Sequence, residues 1–158
     1  MPLNYMQHFL VQSEDVEATK DWYVNVLGMK EGYTPDFKFP VYWLYLGDQD
    51  VLHLTKGGAN VSANRMKYLG QQTQDSYGTG VIDHIAFRAT GLTEVIEHLR
   101  RIGVEFNERQ VSADGFYQLF LFDPNGIKIE LNFDAAEAKG REPQLRASDL
   151  TEEPARTS

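Results

Sequence analysis

Apolar positions along this chain follow two regimes, an alternation of period two and a recurrence every three to four residues, and the regimes appear in the same order twice. The first copy opens on the strand-like run Tyr5–Val11. Ser13, Glu14 and Asp15 can cap a helix, and Val16, Thr19, Tyr23, Val26 and Leu27 then recur at helical spacing until Gly28, a stop signal. Met29–Tyr33 and Tyr42–Leu46 read as strands, Gly47–Asp50 as a turn, and Val51–Thr55 as a further strand. The second copy repeats the order. Strand Val81–Phe87 precedes a helix marked by Leu92, Val95, Ile96, Leu99 and Ile102 and ended by Gly103; strands Val104–Arg109, Phe116–Phe122 and Ile127–Phe133 follow. Asp123-Pro124-Asn125-Gly126 turns the last hairpin, with proline presetting the second position and glycine taking the left-handed conformation of a bulged type I turn.

The pattern predicts an α+β fold of two tandem β-α-β-β-β modules, with helices on one face of a curved mixed sheet wrapped around a metal-binding cleft. Residues 1–134 form a single domain in this reading: module one over 5–55, a linker over 56–80 with room for one short helix, and module two over 81–134. Residues 135–158 turn polar and carry Pro143 and Pro154, a tail expected to be mobile or laid over a neighbouring surface.

The repeat also selects the chemistry. Sliding one copy on the other by 76 or 77 residues superimposes His8 on His84 and His53 on Glu130. A lone histidine in a strand is usually a hydrogen-bonded core residue; two in one repeated slot weaken that reading, with a vestigial or purely structural arrangement as the alternative to a metal site. Glu130 stands among Ile127, Ile129 and Leu131, where an unpaired buried carboxylate would be costly and a cation or salt bridge would remove the cost. His8, His84 and Glu130 are therefore expected to bind a divalent metal. His53 is either a fourth ligand or an acid–base group. Two histidines and a carboxylate suit Fe(II) with open positions. Strand parity sets Phe120 opposite Glu130, with Gln118 and Phe122 on the same face and Trp43 and Tyr45 as their mirror positions. These five could wall a pocket for a planar or apolar substrate, or simply pack the core. Tyr117 and Asp114 lie near the mouth of that hairpin as further candidates, and His98, beside Glu97, Arg100 and Arg101, is expected to be solvated.

Composition narrows the partners. A length of 158 residues, 42% hydrophobic, fits a folded globule, and a charge of −8 disfavours nucleic acid and anionic membranes. The absence of cysteine removes disulfides, thiolate zinc sites and a cysteine nucleophile. Without a basic-then-apolar leader at Met1–Tyr5 or an apolar run of about 20 residues, the chain is expected to be cytoplasmic. A small molecule, not a nucleic acid or a membrane, is the expected partner, with a homodimer as the expected assembly.

Gln7-His8-Phe9, Trp22-Tyr23 through Gly28-Met29, Asp83-His84-Ile85-Ala86-Phe87, and Phe122-Asp123-Pro124-Asn125-Gly126 through Ile129-Glu130-Leu131 resemble, in order, the ligand strands and hairpin turn of the vicinal oxygen chelate superfamily. That superfamily includes glyoxalase I, methylmalonyl-CoA epimerase, extradiol catechol dioxygenases and antibiotic-resistance proteins, and the resemblance spans residues 5 to 134. It implies paired β-α-β-β-β modules and a metal held by His8, His84 and Glu130. In glyoxalase I and the epimerases the slot of His53 usually holds a Glu or Gln ligand, whereas in extradiol dioxygenases it resembles the acid–base histidine. The resemblance therefore leans to ring cleavage of an aromatic diol on Fe(II). The alternatives are a glyoxalase- or epimerase-like isomerase or lyase using Ni, Co, Mn or Zn, and a small-molecule-binding resistance protein. Phe120 stands where the dioxygenases usually carry a tyrosine.

Overall fold

The computed structural model describes residues 4–58, 61–69, 77–80, 82–110, 112–146 and 149. They belong to two compact units, Met1–Val81 with the turn Asp123–Ile127, and Ile82–Phe122 with Lys128–Ser158. Each carries one module of the repeat. The expected α+β arrangement of tandem β-α-β-β-β modules is present, with a sheet in each module.

In the first unit β1 (Phe9–Ser13), α1 (Val16–Leu27), β2 (Lys30–Glu31), β3 (Val41–Leu46) and β4 (Gln49–Lys56) build a sheet of order β1-β4-β3-β2, with β1 parallel to β4 and the other pairs antiparallel. Helix α1 starts where Asp15 accepts a hydrogen bond from the Ala18 N–H at 3.0 Å, and it stops at Gly28, whose φ of 72° is open to glycine at little cost. Its buried stripe of Val16, Thr19 and Tyr23 packs toward β1, β3 and β4, whose Val11, Leu44, Leu52 and Leu54 are buried. The segment expected as linker contributes α2 (Ala63–Leu69); residues 59–60 and 70–76 of that linker lie outside the described residues.

The second unit contains β5 (Ile85–Arg88), α3 (Leu92–Arg101), β6 (Asn107–Gln110), β7 (Tyr117–Phe122), β8 (Lys128–Phe133) and β9 (Leu145–Arg146), in the order β5-β8-β7-β6-β9. Leu92, Ile96 and Leu99 on α3 are fully buried, as are Tyr117, Leu119, Ile129 and Phe133 on one face of the sheet. Tyr117, a candidate from the sequence, thus serves the core, its hydroxyl donating to Glu108 at 3.1 Å. His98 is half-buried instead of solvated, with Arg101 donating to its Nδ1 at 2.9 Å.

Several boundaries differ from expectation. β1 and β5 begin at Phe9 and Ile85, so His8 and His84 each precede a strand instead of lying within it. The β3–β4 turn is two residues long, Gly47-Asp48, since Leu46 already pairs with Gln49; Asp50 is therefore a strand residue. The tail is not wholly mobile. Ala135–Ala138 form a 3₁₀ turn with Ala138 buried, and Leu145–Arg146 pair in parallel with β6 as a ninth strand among the described residues. Glu137 accepts from the Gly91 and Leu92 N–H groups at 2.8 and 3.1 Å, capping α3, which has no cap of its own. Residues 147–148 and 150–158 of the tail lie outside the described residues.

The predicted hairpin turn is present, with Gly126 at φ 78°. Buried Asp123 organises it: its Oδ1 accepts from the Asn125 and Ile127 N–H groups, each at 2.8 Å, and its Oδ2 from the Tyr23 hydroxyl at 2.9 Å. Asn125 accepts from Ser13 Oγ at 2.7 Å and donates to Thr19 Oγ1 at 3.0 Å.

Tyr23→Phe removes one donor from this buried carboxylate and should cost about 1–3 kcal/mol in thermal or denaturant unfolding. Burial, then the Asp123 carboxylate, raises the Tyr23 phenol well above its ordinary value. The unfolded chain gives up this proton near pH 10 while the folded chain keeps it, so the contribution is complete below pH 10 and declines above it. The alkaline fall in stability should be shallower in Tyr23→Phe.

Candidate functional site

Cross-strand register confirms the repeat that the sequence suggested. In the first sheet His53 pairs with Leu10 and Trp43, and in the second Glu130 pairs with Ala86 and Phe120. Each partner is displaced by the offset that relates the two copies. Residues paired across strands share a face, so Leu10, Trp43 and His53 lie opposite the apolar face that packs toward α1.

In the first unit this second face carries an aromatic pocket of about 390 Å³ lined by His8, Trp43, His53, Asp50, Phe37 and Phe39, among others. His53 is sandwiched. The His8 ring stacks on it at 3.8 Å between centroids with planes inclined by 16°, and the Trp43 ring stacks on the other side at 4.2 Å and 5°. His53 Nε2 donates to Asp50 Oδ2 at 2.6 Å. Burial pushes the His53 imidazole below its ordinary value, with the Asp50 carboxylate opposing; the bond from His53 holds the Asp50 carboxyl below its own. His53 is thus biased to its neutral form. His8 Nδ1 contacts Gln7 Oε1 at 3.1 Å, so its Nε2 is the nitrogen left for a ligand role.

The stacking constrains what His53 can do. An imidazole lone pair lies in the ring plane, so one metal bound by both His8 and His53 must lie in both planes. Planes separated and inclined as these are meet on the order of 10 Å away, against a metal–nitrogen bond of about 2.1 Å. His8 and His53 cannot ligate the same ion in this packing.

The second unit joins the other two expected ligands. His84 Nε2 lies 2.7 Å from Glu130 Oε2, and His84 Nδ1 is 2.8 Å from Asp83, which also receives Lys128 Nζ at 2.6 Å. Glu130 is buried, and its second oxygen accepts from Gln118 Nε2 at 2.7 Å; Gln118 also donates to Asn132. The donor set fits a divalent cation. Two neighbouring ligands of an octahedral ion stand roughly 3 Å apart, close to the His84–Glu130 separation, and Asp83 is placed to orient the imidazole from behind. Among the described residues no group of three or more His, Asp or Glu side chains is assembled to hold a metal.

The remaining candidates divide. Trp43 lines the first pocket and Gln118 holds Glu130. Phe120 meets the His84 ring edge-on at 6.0 Å, with the Arg109 guanidinium 4.6 Å above its own ring. Phe120 and Phe122 line a separate cavity of about 490 Å³ with Arg100, Phe106 and Gln144. Tyr45 turns away from the pocket, donating to the Tyr33 carbonyl at 2.5 Å and covering Gly32. Asp114 is an exposed turn residue. Sequence reasoning missed Asp50 and Asp83. Asp83 adjoins a candidate ligand, while Asp50 was hidden by reading the turn two residues too long.

The family model of the Glyoxalase/Bleomycin resistance protein/Dioxygenase superfamily matches residues 5–131. The chain belongs to this superfamily. Solved structures of similar fold include an integron cassette protein from V. cholerae (20% identity, TM-score 0.59, 84% of this chain and 97% of that one). Others are the antibiotic-binding protein TnmS3 from Streptomyces sp. CB03234 (20%, 0.60, 85% and 98%) and lactoylglutathione lyase from Agrobacterium tumefaciens (16%, 0.59, 86% and 98%). No curated protein matches the sequence. At such identities the superfamily likeness shows the fold, and the chemistry rests on the side chains.

The π-stack gives the pocket an optical reporter. Only Trp22 and Trp43 are present, so in a Trp22→Phe background the fluorescence of Trp43 should change on titration with a planar aromatic ligand. A response that survives Phe37→Ala and Phe39→Ala without loss of affinity would place the binding elsewhere.

Proposed function

We propose that this protein is a metal-dependent enzyme acting on neighbouring oxygens of a small planar substrate, with His8, His84 and Glu130 as the metal ligands and His53 as the acid–base group. The reaction favoured is extradiol-type ring cleavage of a catechol-like diol with dioxygen on Fe(II). The observation that carries this reading is the His8–His53–Trp43 stack: it is incompatible with His53 joining His8 on one ion, and it sets an imidazole biased to its neutral form beside an aromatic pocket.

A divalent cation at these ligands would polarise two adjacent substrate oxygens and, as Fe(II), relay electrons from the diol to dioxygen. The chain's own groups do the rest. Trp43, Phe37 and Phe39 offer ring faces to a flat substrate. His53 Nδ1 takes the proton of a substrate hydroxyl and returns it later, while Asp50 holds Nε2. Gln118 fixes the Glu130 carboxylate by donating to its other oxygen.

A second reading, isomerase or lyase chemistry on a hydroxy-carbonyl with Ni, Co, Mn or Zn, draws support from Phe120, which offers no hydroxyl where ring-cleaving relatives usually carry tyrosine. Mutation separates the two. Protein purified anaerobically and loaded with Fe(II) should consume dioxygen with catechols. His53→Ala should retain its metal by elemental analysis while kcat falls by about 10²–10⁴, the usual worth of an acid–base group. Glu130→Ala should lose the metal. A His53→Ala protein that loses metal and recovers activity with excess metal would transfer the assignment to the second reading, and no dioxygen uptake with any catechol would refute the first.

A further inference from the structure

Arg65, on α2, is a buried cation. Only 4% of its surface is exposed. Its Nε and Nη1 have no hydrogen-bond partner, and Nη2 makes one long bond, 3.3 Å, to the neutral Gln12 side chain. Among the described residues no carboxylate forms an ion pair with it. A guanidinium offers five N–H donors in a fixed fork and stays charged, so this burial is expensive unless an anion completes it. Other buried polar side chains of this unit are satisfied: Asp123 accepts four hydrogen bonds, and Thr19 and Ser13 bond to each other at 2.9 Å.

The position of Arg65 relates it to the aromatic pocket. Gln12 follows Leu10 on the same face of β1, and its cross-strand partner Thr55 follows His53 on β4; Thr55 pairs in turn with pocket-lining Val41. The contact between Arg65 and Gln12 therefore lies one side-chain repeat beyond the Leu10–His53–Trp43 row, about 7 Å along the strands. The chain over this end, Phe37–Pro40, is tied down by Asn64 donating to the Lys38 carbonyl at 2.9 Å, and Lys38 itself has φ 61°, a conformation unfavourable for a residue with a side chain.

We infer that Arg65 receives a carboxylate carried by the ligand of this pocket, so that the substrate class is a planar aromatic acid. Dimensions agree. The oxygen of a ring carboxylate lies roughly 4 Å from the ring centre and a charge-assisted hydrogen bond adds about 2.8 Å, which together span one strand repeat. A ring over the Trp43–His53 row would bring its acid group to the guanidinium, whose Nε and Nη1 have no partner. This inference rests on the reading of that face as the ligand pocket.

The test compares 3,4-dihydroxybenzoate with 3,4-dihydroxybenzamide, equal in size and different in charge, by titration calorimetry on metal-loaded protein. The acid should bind at least 10-fold more tightly to the wild type. Arg65→Met should bring the ratio to about one and raise Tm of the ligand-free protein, because an unpaired buried charge is removed. Arg65→Lys, which keeps the charge and loses the fork, should retain part of the preference and decides the matter if Arg65→Met cannot be purified. Equal binding of both compounds to wild type overturns the inference and leaves the pocket standing. Binding of neither overturns both. A preference for the acid that persists undiminished in Arg65→Met, or a Tm lowered by that change, overturns the role of Arg65.

Discussion

The two-residue period of the strands is the constraint on which this molecule turns. In β3, β4, β7 and β8 alternate side chains must serve opposite needs: Leu44, Leu52, Leu54, Leu119, Ile129 and Leu131 are buried as core, while Trp43, His53, Phe120 and Glu130 occupy the intervening positions. A register slip of one residue in any pair would bury His53 or Glu130 in hydrocarbon and turn leucines toward the ligand. The apolar face therefore fixes the chemical face without contacting it. Stability and function are written into the same strands at alternate positions.

The charged groups on that chemical face are held by partners that differ between the modules. His53 is positioned by π-stacking and one carboxylate, in an aromatic setting that favours the neutral ring. His84 is positioned by two carboxylates and a lysine nearby, a setting suited to a cation. The histidines of the two modules thus stand in different electrostatic surroundings, and the proposed division of labour between proton transfer and metal binding is argued from those surroundings.

The sequence showed the fold because duplication doubled every signal: one helix pattern ended by glycine is ambiguous, while two in the same order with matching strands are not. It singled out His8, His84, His53 and Glu130 as candidates for the same reason, and showed the Phe120–Glu130 register because Asp123-Pro124-Asn125-Gly126 has a definite turn geometry. What stayed hidden depends on side-chain direction in space. Asp50 reaches His53 only because the hairpin is tighter than its composition suggested. Tyr45 leaves the pocket because the register shifts between Leu44 and Leu46 and Gly32 opens room beneath its ring. Arg65 carried no mark in the sequence, since burial of a guanidinium has no signature in local sequence.

The segment beyond Asp134 bears on how copies of this protein behave toward each other. β6 would be the outer strand of its sheet were Leu145–Arg146 not bonded along it, and an open strand edge is a template for further strands. The same segment supplies Glu137 to the start of α3. Proteolytic loss of a stretch that reads as a dispensable polar tail would fray a helix and uncover an adhesive edge together, so the cut protein would become a self-associating species.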